Sequence, residues 1–229
     1  MKALSLIIPV YNGEKTIKKT VVAYFDHFSK EFEQLEIIVV CNACTDKTAE
    51  KCRELKREIP VKIVIAPKRG KGNALTKGFR NAQYNIIGFL DADNPFELER
   101  VSKMVSFLKN HDIVIATKFK RGQLKNQTSL IRRFFSLGNA VVARTIFGLN
   151  LPDTQAGAKF MKKNVWENID GNFTCTGFEF DIELLYKIQK KGYKIKEYYL
   201  PPKSSDFSTV KMRILPGILY RLIKMRILN

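Results

Sequence analysis

At 229 residues, 45% hydrophobic and 11% aromatic, the chain can bury one substantial core and fits one globular domain, or one domain with an appendage. Forty Lys and Arg against 22 Asp and Glu leave a formal charge of +18, which points to an anionic partner without choosing among nucleic acid, an anionic membrane surface and phosphorylated substrates. No run reaches the ~20 apolar residues that cross a bilayer, and no charged-then-apolar leader opens the chain, so a cytoplasmic protein is expected.

Residues 4–10 are the first predicted strand, and Tyr11-Asn12-Gly13-Glu14 turns the chain into a helix with Ile17, Val21, Phe25 and Phe28 at helical spacing. Residues 37–40 follow as a second strand, 42–46 as a polar turn, and Ala49, Cys52 and Leu55 mark the face of the next helix. A third strand at 61–66 leads into a basic, glycine-bearing loop at 68–73 and a short helix at 74–82. Alternation of this kind implies a parallel sheet. The four cysteines, Cys41, Cys44, Cys52 and Cys175, include one C-x-x-C but no second pair or nearby His to complete a zinc set. Reduced thiols are expected, with a redox pair at Cys41 and Cys44 as the alternative.

The apolar run 86–90 has the length of a strand buried on both faces, and it ends in Asp91 and Asp93. In open α/β sheets ligands bind at that end of a strand, and two carboxylates held together repel unless a cation lies between them. Mg2+ or Mn2+, which take oxygen ligands and leave positions for substrate phosphates, suit such a pair. The competing possibility is a turn and helix start, since Asn94, Pro95 and Glu97 imitate an N-cap, a first-turn proline and a capping-box acid. Further on, Leu98, Val101, Met104, Val105 and Leu108 mark a helix, 113–116 a strand, 129–147 and 177–191 helices, and 194–200 an edge strand.

Ile7-Ile8-Pro9-Val10-Tyr11-Asn12, Val39-Val40 before a turn ending in Thr45-Asp46, Arg69-Gly70-Lys71-Gly72-Asn73-Ala74-Leu75 and Asp91-Ala92-Asp93 resemble, in order and spacing, the GT-A fold family 2 glycosyltransferases. Arg132 with Ser136 and Asn139, Asp153-Thr154-Gln155 with Gly157 and Lys159, and Phe180-Asp181 with Glu183-Leu184-Leu185 are similar to the branch that makes polyprenyl-phosphate sugars, the dolichyl-phosphate mannose and glucose synthases. The last of these motifs looks more like the glucose-transferring members. The resemblance covers residues 1–200. It implies an α/β fold of GT-A type, a mostly parallel central sheet flanked by helices, with a Rossmann-like nucleotide-binding half and an acceptor half. One domain at 1–210 and a basic amphipathic tail at 211–229 are expected.

The same resemblance implies that Pro9, Tyr11, Glu14 and Ala92 bound the pocket of a UDP- or GDP-linked sugar, with Asn42 near the base, Lys71 near the phosphates and the metal on Asp91 and Asp93. Lys118, Arg121, Arg132 and Ser136 would hold the phosphate of a polyprenyl or dolichyl acceptor, Arg132 counting with the two aspartates as catalytic. Gln155, Asp181 and Glu183 would line the sugar or acceptor pocket, the two acids alternatively neutralising neighbouring arginines. Cys41 and Asn42 stand where the family usually has two acids, and Pro95 where some members have a side-chain metal ligand. A lipid phosphate is already anionic, so the inverting transfer needs no strong base, and His27 and His111 lie in no matching motif. The rival functions are a glycosyltransferase with a saccharide acceptor, a nucleotidyltransferase, and a basic nucleic-acid-binding protein. Against the last, the aromatics follow core periodicity and no nucleic-acid module motif is present. In the tail, Ile218, Leu219, Leu222, Ile223 and Met225 alternate with Lys211, Arg213, Arg221, Lys224 and Arg226. An interfacial helix on the cytoplasmic face of a membrane is therefore expected, with docking on the domain's own core as the alternative.

Overall fold

Aliphatic residues alternate between two destinations along the first strands, and that alternation builds a sheet with a core on each face. The computed structural model describes residues 3–118, 144–151, 153–169, 173–203, 221–222 and 226. Strand β1 (Ala3–Val10) pairs in parallel with β2 (Gln34–Asn42) and β4 (Ile86–Leu90), and β2 with β3 (Val61–Ala66). Helices α1 (Ile17–Glu31), α2 (Thr48–Leu55) and α3 (Lys71–Arg80) make the connections. After α4 (Leu98–Ser106) comes β5 (Ile113–Thr117), but β4 and β5 are not neighbours. The later strand β6 (Ala158–Lys162) lies between them, antiparallel to both. β7 (Ile195–Tyr199) completes the edge in parallel with β5, giving the order β3-β2-β1-β4-β6-β5-β7.

Leu4, Leu6 and Ile8 join Ile17, Val21 and Tyr24 of α1, Leu55 of α2 and Met104 of α4 on one face. Ile7, Ile38 and Val40 join Leu75 and Phe79 of α3, Trp166 of α5 (Lys163–Ile169) and Leu184 of α6 (Phe180–Lys190) on the other. The sequence expectation holds in outline, with local differences. Tyr24 rather than Phe25 faces inward from α1, because the stripe follows 17, 21, 24 and 28. Asn94 adopts φ 47, outside the helical region, so α4 starts only at Leu98 and its cap residue Glu97 makes no side-chain cap bond. Asp91 and Asp93 therefore do not cap this helix. Residues 144–147 are helical, and the rest of the expected 129–147 helix lies outside the described residues. All four cysteines are free thiols.

Ser5, inside β1, accepts from the backbone N–H groups of Gln83 and Tyr84 at 3.2 and 3.0 Å and donates to Glu36 at 2.8 Å. The chain is thereby fixed as it enters β4. Within β4, Gly88 faces Phe160 of β6, and a Cβ there would lie 2.1 Å from the ring. Gly88→Ala should cost about 1–3 kcal/mol by overpacking, measured by urea unfolding, and Phe160→Leu in the same chain should return part of the loss.

Candidate functional site

The C-terminal ends of β1 and β4 meet where the strand order reverses, because β1 sends its connection toward β2 while β4 lies on its other side. Two loops wall this crevice on the β2 side. The Asn12 side chain accepts from Thr45 N–H at 2.9 Å, Gly13 N–H donates to Thr48 Oγ1 at 2.8 Å, and Glu14 accepts from Lys47 N–H at 3.0 Å. Glu14 thus serves the start of α2. Tyr11 is 44% exposed and carries the Arg69 guanidinium 4.4 Å above its ring, a cation–π contact across the mouth. Pro9 lies one position inside, on β1.

The floor is Asp91-Ala92-Asp93, pinned from below by α1. Tyr24 Oη donates to Asp91 O and Thr20 Oγ1 to Ala92 O, each at 2.8 Å. Burial first, and then Asp91 and Asp93, push the Tyr24 hydroxyl well above its ordinary range, so it stays a proton donor. Asp91 N–H donates to Gly157 O at 3.0 Å, and a Cβ on Gly157 would come within 1.9 Å of Asp91 Oδ2. The Asp153-Thr154-Gln155 turn is brought against the aspartates by that approach, with Asp153 accepting from Lys118 N–H at 3.2 Å and from Gln155 N–H at 3.0 Å. Gln155 Nε2 reaches Phe178 O at 3.4 Å.

Behind the floor runs a chain of charges. Lys71 Nζ is 3.1 Å from Asp91 Oδ1 and 3.7 Å from Asp181 Oδ2, and Lys159 Nζ is 2.8 Å from Asp181 Oδ1 and 2.9 Å from Ala156 O. Lys159 is wholly buried and Asp181 is 1% exposed. Burial alone would lower the Lys71 ammonium, yet Asp91 and Asp181 outweigh it and hold it raised. For Lys159 burial wins, aided by Lys71, and its ammonium is lowered despite Asp181. The Asp181 oxygens lack an aligned hydrogen bond although Lys159 is close, so they are held by charge rather than by directed bonds.

These contacts revise several expected roles. Lys71 does not sit on a free phosphate loop: it opens α3, 12% exposed, with its ammonium on carboxylates. The first N–H groups of that helix are also occupied, Gly72 N–H by Gly177 O and Asn73 N–H by Thr176 O, each at 3.2 Å. Asn42 has its amide engaged within the protein. It is 5% exposed, donates to Lys68 O and accepts from Gly70 N–H, both at 2.8 Å, and so latches the basic loop. Asp181 and Glu183 are buried, and their ion-pair partners among the described residues are lysines. Glu183, fully buried, accepts from Thr174 N–H at 3.0 Å and Cys175 N–H at 2.7 Å and lies 3.5 Å from Lys187. Arg121, Arg132 and Ser136 lie outside the described residues. Of the tail, Arg221 pairs with the buried Glu179, Leu222 enters the core beside α6, and Arg226 donates to Ile146 O at 3.2 Å. These three side chains contact the domain, while Arg226 remains exposed and Arg221 partly so.

Asp93 is exposed overall, yet desolvation by the surrounding protein and then Asp91 raise it, while Lys118 and Lys71 oppose the shift. Two carboxylates of which one resists ionisation are a donor set suited to a hard divalent cation. Among the described residues no further His, Cys, Asp or Glu completes a set of three, so the remaining positions would fall to water and phosphate oxygens.

The glycosyl transferase family 2 model matches residues 5–178. A dolichol-phosphate mannosyltransferase from Pyrococcus furiosus is 28% identical over 190 residues, 80% of this chain and 52% of that protein. A dolichyl-phosphate beta-glucosyltransferase from Trichomonas vaginalis is 28% identical over 226 residues, 92% of this chain and 68% of that protein. The chain thus spans about half the length of the first relative and two thirds of the second. Its fold matches the crystal structure of glucosyl-3-phosphoglycerate synthase from Mycobacterium tuberculosis in complex with Mn2+ and UDP-glucose, with a TM-score of 0.68 at 19% identity over 97% of this chain and 77% of that one.

Asn42→Asp turns the donor facing Lys68 O into a second acceptor inside a buried contact. It should lower stability by about 1–3 kcal/mol and weaken binding of a nucleoside diphosphate measured by calorimetry. Tighter binding in this variant would place the side chain on the base instead.

Proposed function

Because the chain belongs to glycosyl transferase family 2, we propose that it moves a hexose from a UDP- or GDP-linked donor to a polyprenyl phosphate of the dolichyl type, inverting the anomeric centre. The observation that carries this is the Asp91 and Asp93 pair at the end of a buried parallel strand, in the crevice at the sheet's switch point and backed by Lys71. Likeness to the two dolichyl-phosphate transferases, which between them name mannose and glucose, supports the acceptor class and leaves the hexose to experiment.

Asp91 and Asp93 would hold Mg2+ or Mn2+; when bound, the ion screens the charge growing on the departing nucleoside diphosphate. Tyr11 and Arg69 flank the mouth where the nucleoside would enter, and the Asn42 latch keeps Arg69 and Gly70 in place beneath it. Lys118 borders Asp93, with its backbone fixed by Asp153. Together with Arg121, Arg132 and Ser136 it would orient the acceptor phosphate, which attacks the anomeric carbon as an anion and needs no base. His27 and His111 are engaged elsewhere, on Ser102 Oγ at 2.8 Å and Phe107 O at 3.1 Å. Gln155, in the turn held by Asp153 beside Asp91, would contact the sugar.

No helix among the described residues is long and apolar enough to cross a membrane. In this account the protein works peripherally on the cytoplasmic face, drawn to anionic lipid by its charge of +18. Flotation with anionic vesicles should recover it at low salt and lose it at high salt, whereas no recovery at either would favour a soluble acceptor.

The reaction is tested by incubation with polyprenyl phosphate and each common nucleotide sugar, with Mn2+ or Mg2+. Lipid-linked hexose and nucleoside diphosphate are expected; released pyrophosphate would make the protein a nucleotidyltransferase. Asp93→Asn should abolish turnover, as should a chelator, while the ligand-free variant melts above wild type. A carboxyl raised on folding destabilises the native state as pH rises through its folded range. The melting advantage should therefore be present at pH 7 and vanish in acid, where wild-type Asp93 is protonated.

A further inference from the structure

Lys71 has two carboxylates within reach and is bonded closely to only one of them. Its ammonium lies 3.1 Å from Asp91 Oδ1, at the mouth, and 3.7 Å from Asp181 Oδ2, which is buried. Asp181 Oδ1 already has Lys159 at 2.8 Å, but neither Asp181 oxygen has an aligned hydrogen bond. A charge-assisted N–H···O bond settles near about 2.8 Å, so a displacement of roughly 1 Å would complete a bond that is now only a long-range attraction. The backbone beneath Lys71 cannot follow. Gly70 would meet Thr176 O at 2.1 Å if it carried a Cβ, Gly72 would meet Cys175 O at 2.7 Å, and the N–H groups of Gly72 and Asn73 are bonded to Gly177 and Thr176. The movable part is the flexible lysine stem, whose ammonium lies 4.8 Å from the centre of the Phe89 ring.

We propose that Lys71 is a stand-in cation: in the ligand-free protein it neutralises Asp91, and when a divalent ion takes that carboxylate the ammonium passes to Asp181, which is the positioning residue that receives it. The inference rests on the metal role proposed for Asp91 and Asp93. It explains why a buried acid of α6 lies behind the mouth with a lysine on either side, and why Asp91 can stand ready for a cation with its charge partly offset in the cation's absence. It also leaves Lys71 beside the incoming diphosphate rather than bound to it.

Mn2+ titrated into the nucleotide-free protein, with free Mn2+ read by electron paramagnetic resonance, separates the possibilities. Lys71→Met and Lys71→Gln remove the competing ammonium and should bind Mn2+ roughly fivefold more tightly than wild type, the upper scale of one partly exposed ion pair. Equal or weaker binding in both variants overturns the exchange while leaving the metal role intact, and no binding by any of the three proteins overturns both. A crystal structure of the wild-type protein with Mn2+ supplies the second measurement. Lys71 Nζ at hydrogen-bond distance from Asp181 Oδ2 and released from Asp91 is expected; Lys71 still on Asp91 beside the bound ion would end the proposal.

Discussion

The line of charge running Lys159, Asp181, Lys71, Asp91 holds the site together, and it does so from the inside. Ions taken out of water cost several kcal/mol each, so a buried pair is no cheap source of stability. What it fixes is arrangement. Lys159 belongs to β6, Asp181 to α6 and Lys71 to α3, while Asp91 follows β4. Losing any member strands a buried charge, so the four elements are held in one relative placement with the mouth carboxylates at its open end. Strand alternation gives the sheet two cores, but neither core specifies where Asp91 points. The charges do.

Around this line, the two halves of the chain approach each other at backbone distance. Gly70 and Gly72 let the 174–177 segment lie against the start of α3, and Gly157 admits the Asp153 turn beside Asp91. Glu183 and Glu179 gather the same 174–177 segment from the other side, the first by accepting from Thr174 and Cys175, the second by accepting from Gly177 N–H while pairing with Arg221. A contact therefore extends from the docked tail residue Arg221 to the helix that carries Lys71. Tail and site share a framework even though they are far apart in sequence.

The strand–helix alternation of the first half and the paired aspartates were legible because both are local signals, an apolar run of strand length and then two acids where it ends; β6, which enters the sheet antiparallel between β4 and β5, was not. The four-motif resemblance to family 2 rests on signals of the same kind. What could not be read depended on partners far along the chain. Asn42 looked like a base contact, yet its amide is consumed by Lys68 and Gly70, 26 and 28 residues later. The family resemblance makes Asp181 and Glu183 pocket acids, or partners of arginines. The burial of Asp181 is made tolerable by Lys159, a lysine with no exposure, and that of Glu183 by backbone N–H groups and Lys187, none of which hydropathy alone announces. Asn94 matched a cap pattern but turns left-handed, and Pro95, Phe96 and Glu97 intervene before α4 begins at Leu98. Lys159 was visible within a motif, and only the fold shows what it opposes.

One feature of the sheet carries over to how the molecule is made. β4 and β5 are 22 residues apart at their nearest ends, yet each borders β6, which is not reached until residue 158. During synthesis the first four strands can form their ladder as they emerge, whereas β5 has no sheet neighbour among the strands before it. It must wait for β6 on one side and β7 on the other, after a long excursion whose closure is entropically costly. The nucleotide-side half is thus built to assemble early and the other half late, with the arrival of β6 bringing Lys159 into register. A nascent chain halted before residue 158 would carry the aspartates on an open sheet edge, without the strand that covers it.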